Sequence, residues 1–295
     1  MTEIRGRNAV VTGGGSGIGM GLARELARQG AAVAVADIKL DKAEKVAAEI
    51  RAAGGKAVAL AVDVCDRASI AAMRDAAVAA LGPVQLVFAN AGATSFDPLM
   101  EMSDDDVDWI IQVNLMGVMN TTRAFLPAML AGGEGHVCAT ASMAGLLPGW
   151  IPVHAPYSAA KMGIIGLMMN LGMETKASGV NTTVYCPGGV ASGMKANNAT
   201  YRPEKFGGPG EGEVVISVAS AEHTSMPFYK PDDIAPIVLN AVRNNRPFVF
   251  DHADQRQLFR NTYASVVEAC YDDIAAWEAE NGKPAANPTG AVLLD

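Results

Sequence analysis

The sequence is poor in cysteine, in positive charge and in long apolar runs, and each shortage removes a class of function. Four cysteines are present in 295 residues: Cys65, Cys138, Cys186 and Cys270. They lie far apart, form no Cys-x-x-Cys pair and sit in or beside apolar stretches, where cysteine behaves as a small hydrophobe. Neither a zinc site nor a disulfide framework is expected. Lysine and arginine total 23 against 31 acidic residues, a net charge of −8, with no basic cluster. Binding to nucleic acid needs a basic face, so no such partner is expected. The longest apolar run, residues 162–173, falls short of the roughly 20 residues that span a bilayer, so no membrane span is expected. Residues 1–5 lead straight into a strand-like segment without a signal-peptide pattern, and the expected location is cytoplasmic. What remains is a chain 50% hydrophobic and 18% charged, able to bury a large core.

Apolar strand-like runs alternate with amphipathic helical segments along the chain. Strands are predicted at residues 9–12, 32–36, 57–62, 84–89, 136–141, 181–186 and 247–250. Helices are predicted at about 17–29, 42–53, 67–81, 105–130, 155–177 and from near 232 onward. This βαβα rhythm predicts an α/β fold, a parallel sheet with helices on both faces. Two regions fall outside it. Residues 191–230 are weakly periodic and contain Gly207-Gly208-Pro209-Gly210; a loop of that length is read as a lid or as disorder. Residues 254–280 read as one amphipathic helix with Leu258, Val266, Val267, Tyr271, Ile274 and Trp277 on one side. The expected organisation is a main domain over 1–252, containing the 191–230 lid, and a helical extension and tail over 253–295.

Thr12-Gly13-Gly14-Gly15-Ser16-Gly17-Ile18-Gly19 joins the first strand to the first helix. Glycines let the backbone turn sharply and approach a pyrophosphate, and the helix N-terminus offers N–H groups and positive dipole. A glycine run alone is weak evidence; its place between the first strand and helix makes it a dinucleotide site. Gly13, Gly15, Ser16, Gly17, Ile18 and Gly19 are therefore cofactor-binding candidates. Asp37 ends the second strand, where a carboxylate accepts hydrogen bonds from the adenosine ribose and repels a 2′-phosphate. That favours NAD over NADP. An aspartate here can instead cap the next helix, and Lys39 nearby leaves NADP open. Asp63-Val64 and Asn90-Ala91-Gly92 end the third and fourth strands, where ligands of open α/β sheets bind. Asp and Asn at such places also serve simply as turn residues.

Tyr157-Ser158-Ala159-Ala160-Lys161 sets a phenol and an ammonium four residues apart, on one face of a helix. A free tyrosine, with a pKa of about 10, is a poor base at neutral pH. A neighbouring ammonium and an oxidised nicotinamide both favour phenolate, so Tyr157 is expected to have a lowered pKa and to shuttle a proton as hydride leaves or reaches carbon. Ser142, just past the fifth strand, is placed to hold the substrate oxygen against Tyr157. Asn114 sits in an apolar helical stretch. It is either ordinary helix polarity or the polar mark of a bent helix holding a water that leads to Lys161.

Taken together, these motifs resemble the short-chain dehydrogenase/reductase superfamily, over about residues 4–251 and in the family's order. The resemblance implies a single Rossmann-type, doubly wound domain with a seven-stranded parallel sheet, and a tetrad of Asn114, Ser142, Tyr157 and Lys161. It implies also that Pro187, Gly188, Val190 and Ser192 touch the nicotinamide carboxamide. Three departures are visible: Ala89 precedes Asn90 where a second Asn is common, the loop between Ser142 and Tyr157 is long, and Ser192 replaces a common Thr. The 95–126 segment, the long lid and the C-terminal helix further resemble the branch that oxidises benzylic alcohols in lignin-derived aryl ethers.

The expected substrate is a small-molecule secondary alcohol or ketone with a bulky, apolar or aromatic body, since the lid and the long loop are rich in apolar and aromatic residues. Ser142, Leu147, Trp150, His154, Met194 and Phe228 are the substrate-binding candidates. The helices bearing Asn114 and Tyr157 are apolar on more than one face, and the resemblance implies that they pair subunits into homodimers or homotetramers. Two other functions stay open: a non-catalytic dinucleotide sensor or scaffold on the same fold, and an NADP-dependent ketone reductase.

Overall fold

A computed structural model describes residues 1–147, 153–194, 200–209 and 228–283. The chain divides into two compact units, Met1–Ala253 and Asp254–Asp295. The first unit is an α/β domain. Its strands are β1 (Asn8–Thr12), β2 (Ala32–Asp37), β3 (Lys56–Ala61), β4 (Leu86–Ala89), β5 (Gly135–Thr140), β6 (Val180–Cys186) and β7 (Phe248–Phe250). They form one seven-stranded sheet in the order β3-β2-β1-β4-β5-β6-β7, every pair parallel.

Parallel strands need crossovers, and helices supply them: α1 (Gly17–Arg28), α2 (Leu40–Ala52), α3 (Arg67–Leu81), α4 (Asp104–Ile111), α5 (Gly117–Gly132), α6 (Met143–Leu146), α7 (Ala155–Glu174) and α8 (Pro231–Arg243). Covered on both faces, the central strands carry apolar residues at consecutive positions. Ala9, Val10 and Val11 of β1 and Val33, Ala34 and Val35 of β2 are all fully buried. On one face, α1 and α8 close over this core through Leu22, Leu26, Ile234, Val238 and Val242. The order reverses between β1, which is followed by β2, and β4, which is followed by β5. That switch opens a crevice at the carboxyl ends of the strands.

The helix predicted at 105–130 is interrupted. Ser103 caps α4 by a reciprocal bond with Asp106. A π-helical turn, Gln112–Met116, then separates α4 from α5. Helical periodicity in a sequence does not register one extra residue in a turn, which is why a continuous helix is the natural reading.

In the second unit, α9 (Gln255–Phe259) and α10 (Ser265–Asn281) flank another π-helical turn, Arg260–Ala264. The single helix predicted there is thus two segments. No residue of α10 is buried, and the apolar side named from the sequence, including Tyr271, Ile274 and Trp277, is exposed. No helix among the described residues is long and apolar enough to cross a membrane.

Candidate active site

The glycine turn is shaped by what its backbone must avoid. Gly13 adopts φ 65°, the left-handed region, and a Cβ on Gly19 would stand 2.2 Å from the Gly13 carbonyl oxygen. Both positions exclude a side chain, and together they seat the first turn of α1 directly on the loop. Ser16, the residue before α1, makes no capping hydrogen bond through its side chain, and the first turn of the helix holds no acidic residue. No carboxylate of α1 competes for its N-terminal N–H groups, so an anionic phosphate fits there.

Asp37 is buried at the end of β2. Its Oδ2 accepts from the Gly15 N–H at 2.9 Å and its Oδ1 from the Lys39 N–H at 3.0 Å. Those bonds tie the carboxylate to the glycine turn and to the start of α2 at once. Burial raises its pKa, opposed by the two N–H donors and the Lys42 charge.

A cleft lies at the carboxyl ends of the strands, where ligands of open α/β sheets bind. Of the residues predicted from the sequence, Gly13, Ser16, Gly17, Ile18, Asp37, Asp63, Val64, Asn90, Ala91, Gly92, Tyr157, Lys161, Pro187, Ser192 and Met194 line it. Several others stand outside the lining. Gly15 and Gly19 are packed in the turn itself. Gly188 donates its N–H to Asp251 Oδ1 at 2.9 Å, and Val190 pairs with Tyr229 in a short bridge. Leu147 is buried and Phe228 is 63% exposed. Trp150 lies outside the described residues. No group of side chains suited to a metal ion occurs among the described residues.

The four tetrad candidates converge at the ends of β4 and β5. Lys161, fully buried on α7, donates to the Thr140 carbonyl at 2.9 Å, and its Nζ lies 5.4 Å from the Tyr157 ring centre. Asn114 sits in the π-helical turn. Its amide donates to Ala93 O at 2.9 Å and Ile110 O at 2.8 Å, which aims Oδ1 elsewhere. That oxygen is buried and has no hydrogen-bond partner among the described residues. A Cβ built on Gly92 would stand 2.8 Å from it and 3.4 Å from Lys161 Nζ, so the two polar atoms face a common point. A buried, unpaired acceptor is costly unless something fills that point. Ser142 caps α6 by accepting from the Ala144 N–H at 3.1 Å and lies near enough to Tyr157 to act on its phenol, whose hydroxyl itself points to Met194 Sδ at 3.8 Å.

Burial works against the lowered phenol pKa expected from the sequence. Burial pushes the Tyr157 phenol up to about 12, against the lowering effect of Ser142. Burial likewise pulls Lys161 down to about 7. Desolvation is the largest influence on each group, because both are removed from water.

Several contacts around the site are visible only in the structure. Thr12 Oγ1 accepts from the Asn90 and Ala91 N–H groups at 3.0 and 3.2 Å, and Thr140 Oγ1 donates to Asn90 Oδ1 at 3.0 Å. Asn90 thus staples β1, β4 and β5 beneath the cleft. His154 is buried and stacks between Phe96 and Tyr157, with ring centres 4.7 and 4.3 Å away, and shares a 2.8 Å hydrogen bond with Thr94. Asp251 holds Gly188 and also accepts from the Tyr185 hydroxyl at 2.5 Å. Its place just past the last strand was the available clue.

Comparison with known proteins agrees with this architecture. The family model described as short chain dehydrogenase matches residues 7–202. A C alpha-dehydrogenase of Sphingobium sp. (strain NBRC 103272 / SYK-6) is 30% identical over 282 residues, covering 95% of this chain and 90% of that protein. The crystal structure of a short chain dehydrogenase/reductase from Burkholderia phymatum in complex with NAD superposes with a TM-score of 0.80 at 29% identity, over 98% of this chain and 99% of that one. The apo form of LigD from Sphingobium sp. strain SYK-6 gives 0.73 at 26% identity, over 90% and 97%. The chain belongs to the short-chain dehydrogenase/reductase family, and it is an oxidoreductase of that fold.

Proposed function

We propose that the protein is an NAD-dependent oxidoreductase interconverting a secondary alcohol and a ketone, with a bulky, largely apolar or aromatic substrate. One observation carries the reading: the glycine turn and the Tyr157–Lys161 pair line the same cleft. When bound, the nicotinamide supplies or takes the hydride. The glycine turn and the N-terminus of α1 would hold the phosphates, and Asp37 the ribose hydroxyls. Tyr157 takes the alcohol proton in oxidation and returns it in reduction, Ser142 orients the substrate oxygen, and Lys161 with Asn114 Oδ1 passes the proton onward. The NAD in the Burkholderia phymatum structure and the name of the Sphingobium relative support the cofactor and the alcohol chemistry.

Asp37 favours NAD, yet Lys42 is close enough to act on its carboxyl group, and a cation there suits a 2′-phosphate. The two cofactors should be compared for that reason. Exposed Met162, Met169 and Met173 on α7 support pairing of subunits through that helix.

The test is a screen of aromatic and alicyclic secondary alcohols with NAD⁺ and with NADP⁺, read as absorbance of the reduced cofactor. Turnover with NAD⁺ on at least one aryl alcohol is expected. Binding of NADH without turnover of any alcohol or ketone would favour a sensor and overturn the reading.

A further inference from the structure

The family resemblance implies that residues 191–230 lie over the substrate. Within that stretch, residues 200–206 are anchored instead to elements of the other half of the cleft. The Tyr201 hydroxyl accepts from Lys42 Nζ at 2.9 Å, near the start of α2, and lies 3.3 Å from Ser16 Oγ in the glycine turn. Lys205 Nζ stands 3.4 Å from Asp63 Oδ2 and donates to the Cys65 carbonyl at 3.3 Å, both just beyond β3. Arg202 pairs with Asp106 of α4, donates to the Phe206 carbonyl and lies over the Trp109 ring at 5.7 Å. The segment therefore ties together four regions distant in sequence: the glycine turn, the start of α2, the loop after β3, and α4.

We propose that Tyr201, backed by Lys42, is a dinucleotide-binding residue, and that residues 200–206 form the outer wall of the subsite for the adenosine and phosphate half of the cofactor. Tyr201 and Pro203 line the cleft beside Ser16, Asp37, Ile38 and Asp63. Because Lys42 donates to the phenol oxygen, the phenol's own proton points to another acceptor. Ser16 Oγ is one such acceptor, and a phosphate or ribose oxygen in the cleft is the alternative. The Lys42 ammonium adds positive charge on the same side as the N-terminus of α1, which suits a doubly charged pyrophosphate. The wall has to detach before a cofactor seated behind it leaves, so its anchors set the release rate. This rests on the dinucleotide reading above.

The opposing possibility is that the segment is a substrate wall. Phe206 and Met194 both pack against the Trp109–Ile110–Tyr157 cluster, which reaches the reacting end of the cleft. Release kinetics separate the two. NADH and NADPH are bound to the full chain and to Tyr201→Phe and Arg202→Ala variants, and release is followed by stopped-flow fluorescence while the KM of a turned-over alcohol is measured. The expected result is release about five- to tenfold faster in Tyr201→Phe, the loss of one hydrogen-bonding hydroxyl, and faster release also in Arg202→Ala, with alcohol KM changed less than twofold in both. Unchanged release in both variants overturns the proposal, as does a raised alcohol KM at unchanged release. If the parent protein binds neither NADH nor NADPH, the dinucleotide reading falls, and the proposal with it. If the parent binds and only the variants fail to differ, the wall alone is refuted.

Discussion

Gly92 offers the sharpest test of the proton route. Its backbone does not need glycine, since it is absent from the positive-φ residues. The constraint is spatial. A methyl group on residue 92 would sit 2.8 Å from Asn114 Oδ1 and 3.4 Å from Lys161 Nζ. A water at that point would be within hydrogen-bonding reach of both atoms. In Gly92→Ala the methyl takes that place, and a carbon accepts and donates nothing. The Asn114 amide cannot swing aside freely, because Ala93 O and Ile110 O hold its nitrogen. Overpacking of this kind costs about 1–3 kcal/mol, which for a domain of this size lowers Tm by roughly 2–10 °C. Loss of a positioned proton path costs catalysis about 10²-fold or more. The assay is steady-state NAD⁺ reduction with a turned-over alcohol, paired with NADH titration and a thermal melt. The expected outcome is kcat down by about two orders of magnitude, with NADH affinity within a few-fold of the parent. A variant with kcat within twofold of the parent would refute the claim that Asn114 and Lys161 communicate through this point.

Three further outcomes follow from the same geometry. Tyr157→Phe removes the hydroxyl proposed for proton transfer while keeping the ring against His154, so turnover should fall about 10³-fold and NADH titration should be unaffected; residual activity near the parent level would end the tyrosine mechanism. Asp37→Ser removes the negative charge near Lys42, so kcat/KM should fall about tenfold with NAD⁺ and rise with NADP⁺; an unchanged ratio between the cofactors would mean that Asp37 does not read the ribose. His154 is held neutral by burial, its pKa lowered from 6.5 to about 4. The unfolded chain takes up that proton as pH falls from 6.5 to 4 and the folded chain does not. The stability contributed is therefore present above pH 6.5 and lost towards pH 4, by about 3 kcal/mol for a change of 2.5 pK units at 1.36 kcal/mol each. His154→Phe keeps a ring in the stack and should flatten the fall of Tm between pH 7 and 4.5; an equally steep fall would show that His154 does not titrate on unfolding.

The fold was legible because its signals are local and repeated. Doubly buried strands must be apolar at consecutive positions, and the Val/Ala runs of β1 and β2 announce this. The glycine turn and the four-residue spacing of Tyr157 and Lys161 are equally local. What escaped was set by distant contacts. The π-helical turn that aims Asn114 adds one residue to a helix whose composition does not change there. Asp251 reaches Gly188 across 63 positions of sequence, and no pattern near either residue announces the bond. The apolar stripe of α10 has the spacing of a buried face, yet its residues are exposed, because periodicity states which side is apolar and not what covers it.

The same limit applies at Tyr157. From sequence, a lysine one turn away lowers the phenol pKa. The structure adds what spacing cannot carry, namely that both groups are almost wholly out of water. Burial raises Tyr157 from 10.0 to about 12. A full charge on Lys161, 5.4 Å from the ring centre, is worth about 3 kcal/mol at an effective dielectric near 20, or roughly two pK units. Charging Lys161 therefore offsets burial and returns the phenol to its ordinary range, while burial of Lys161, which pulls it down to about 7, opposes that charge. The pair alone leaves Tyr157 a proton donor. To act as a base it needs a second positive charge in the cleft, of the kind an oxidised nicotinamide brings. The tyrosine's affinity for its proton would then follow the oxidation state of the cofactor beside it, low when an alcohol must be deprotonated and high when a ketone must be protonated.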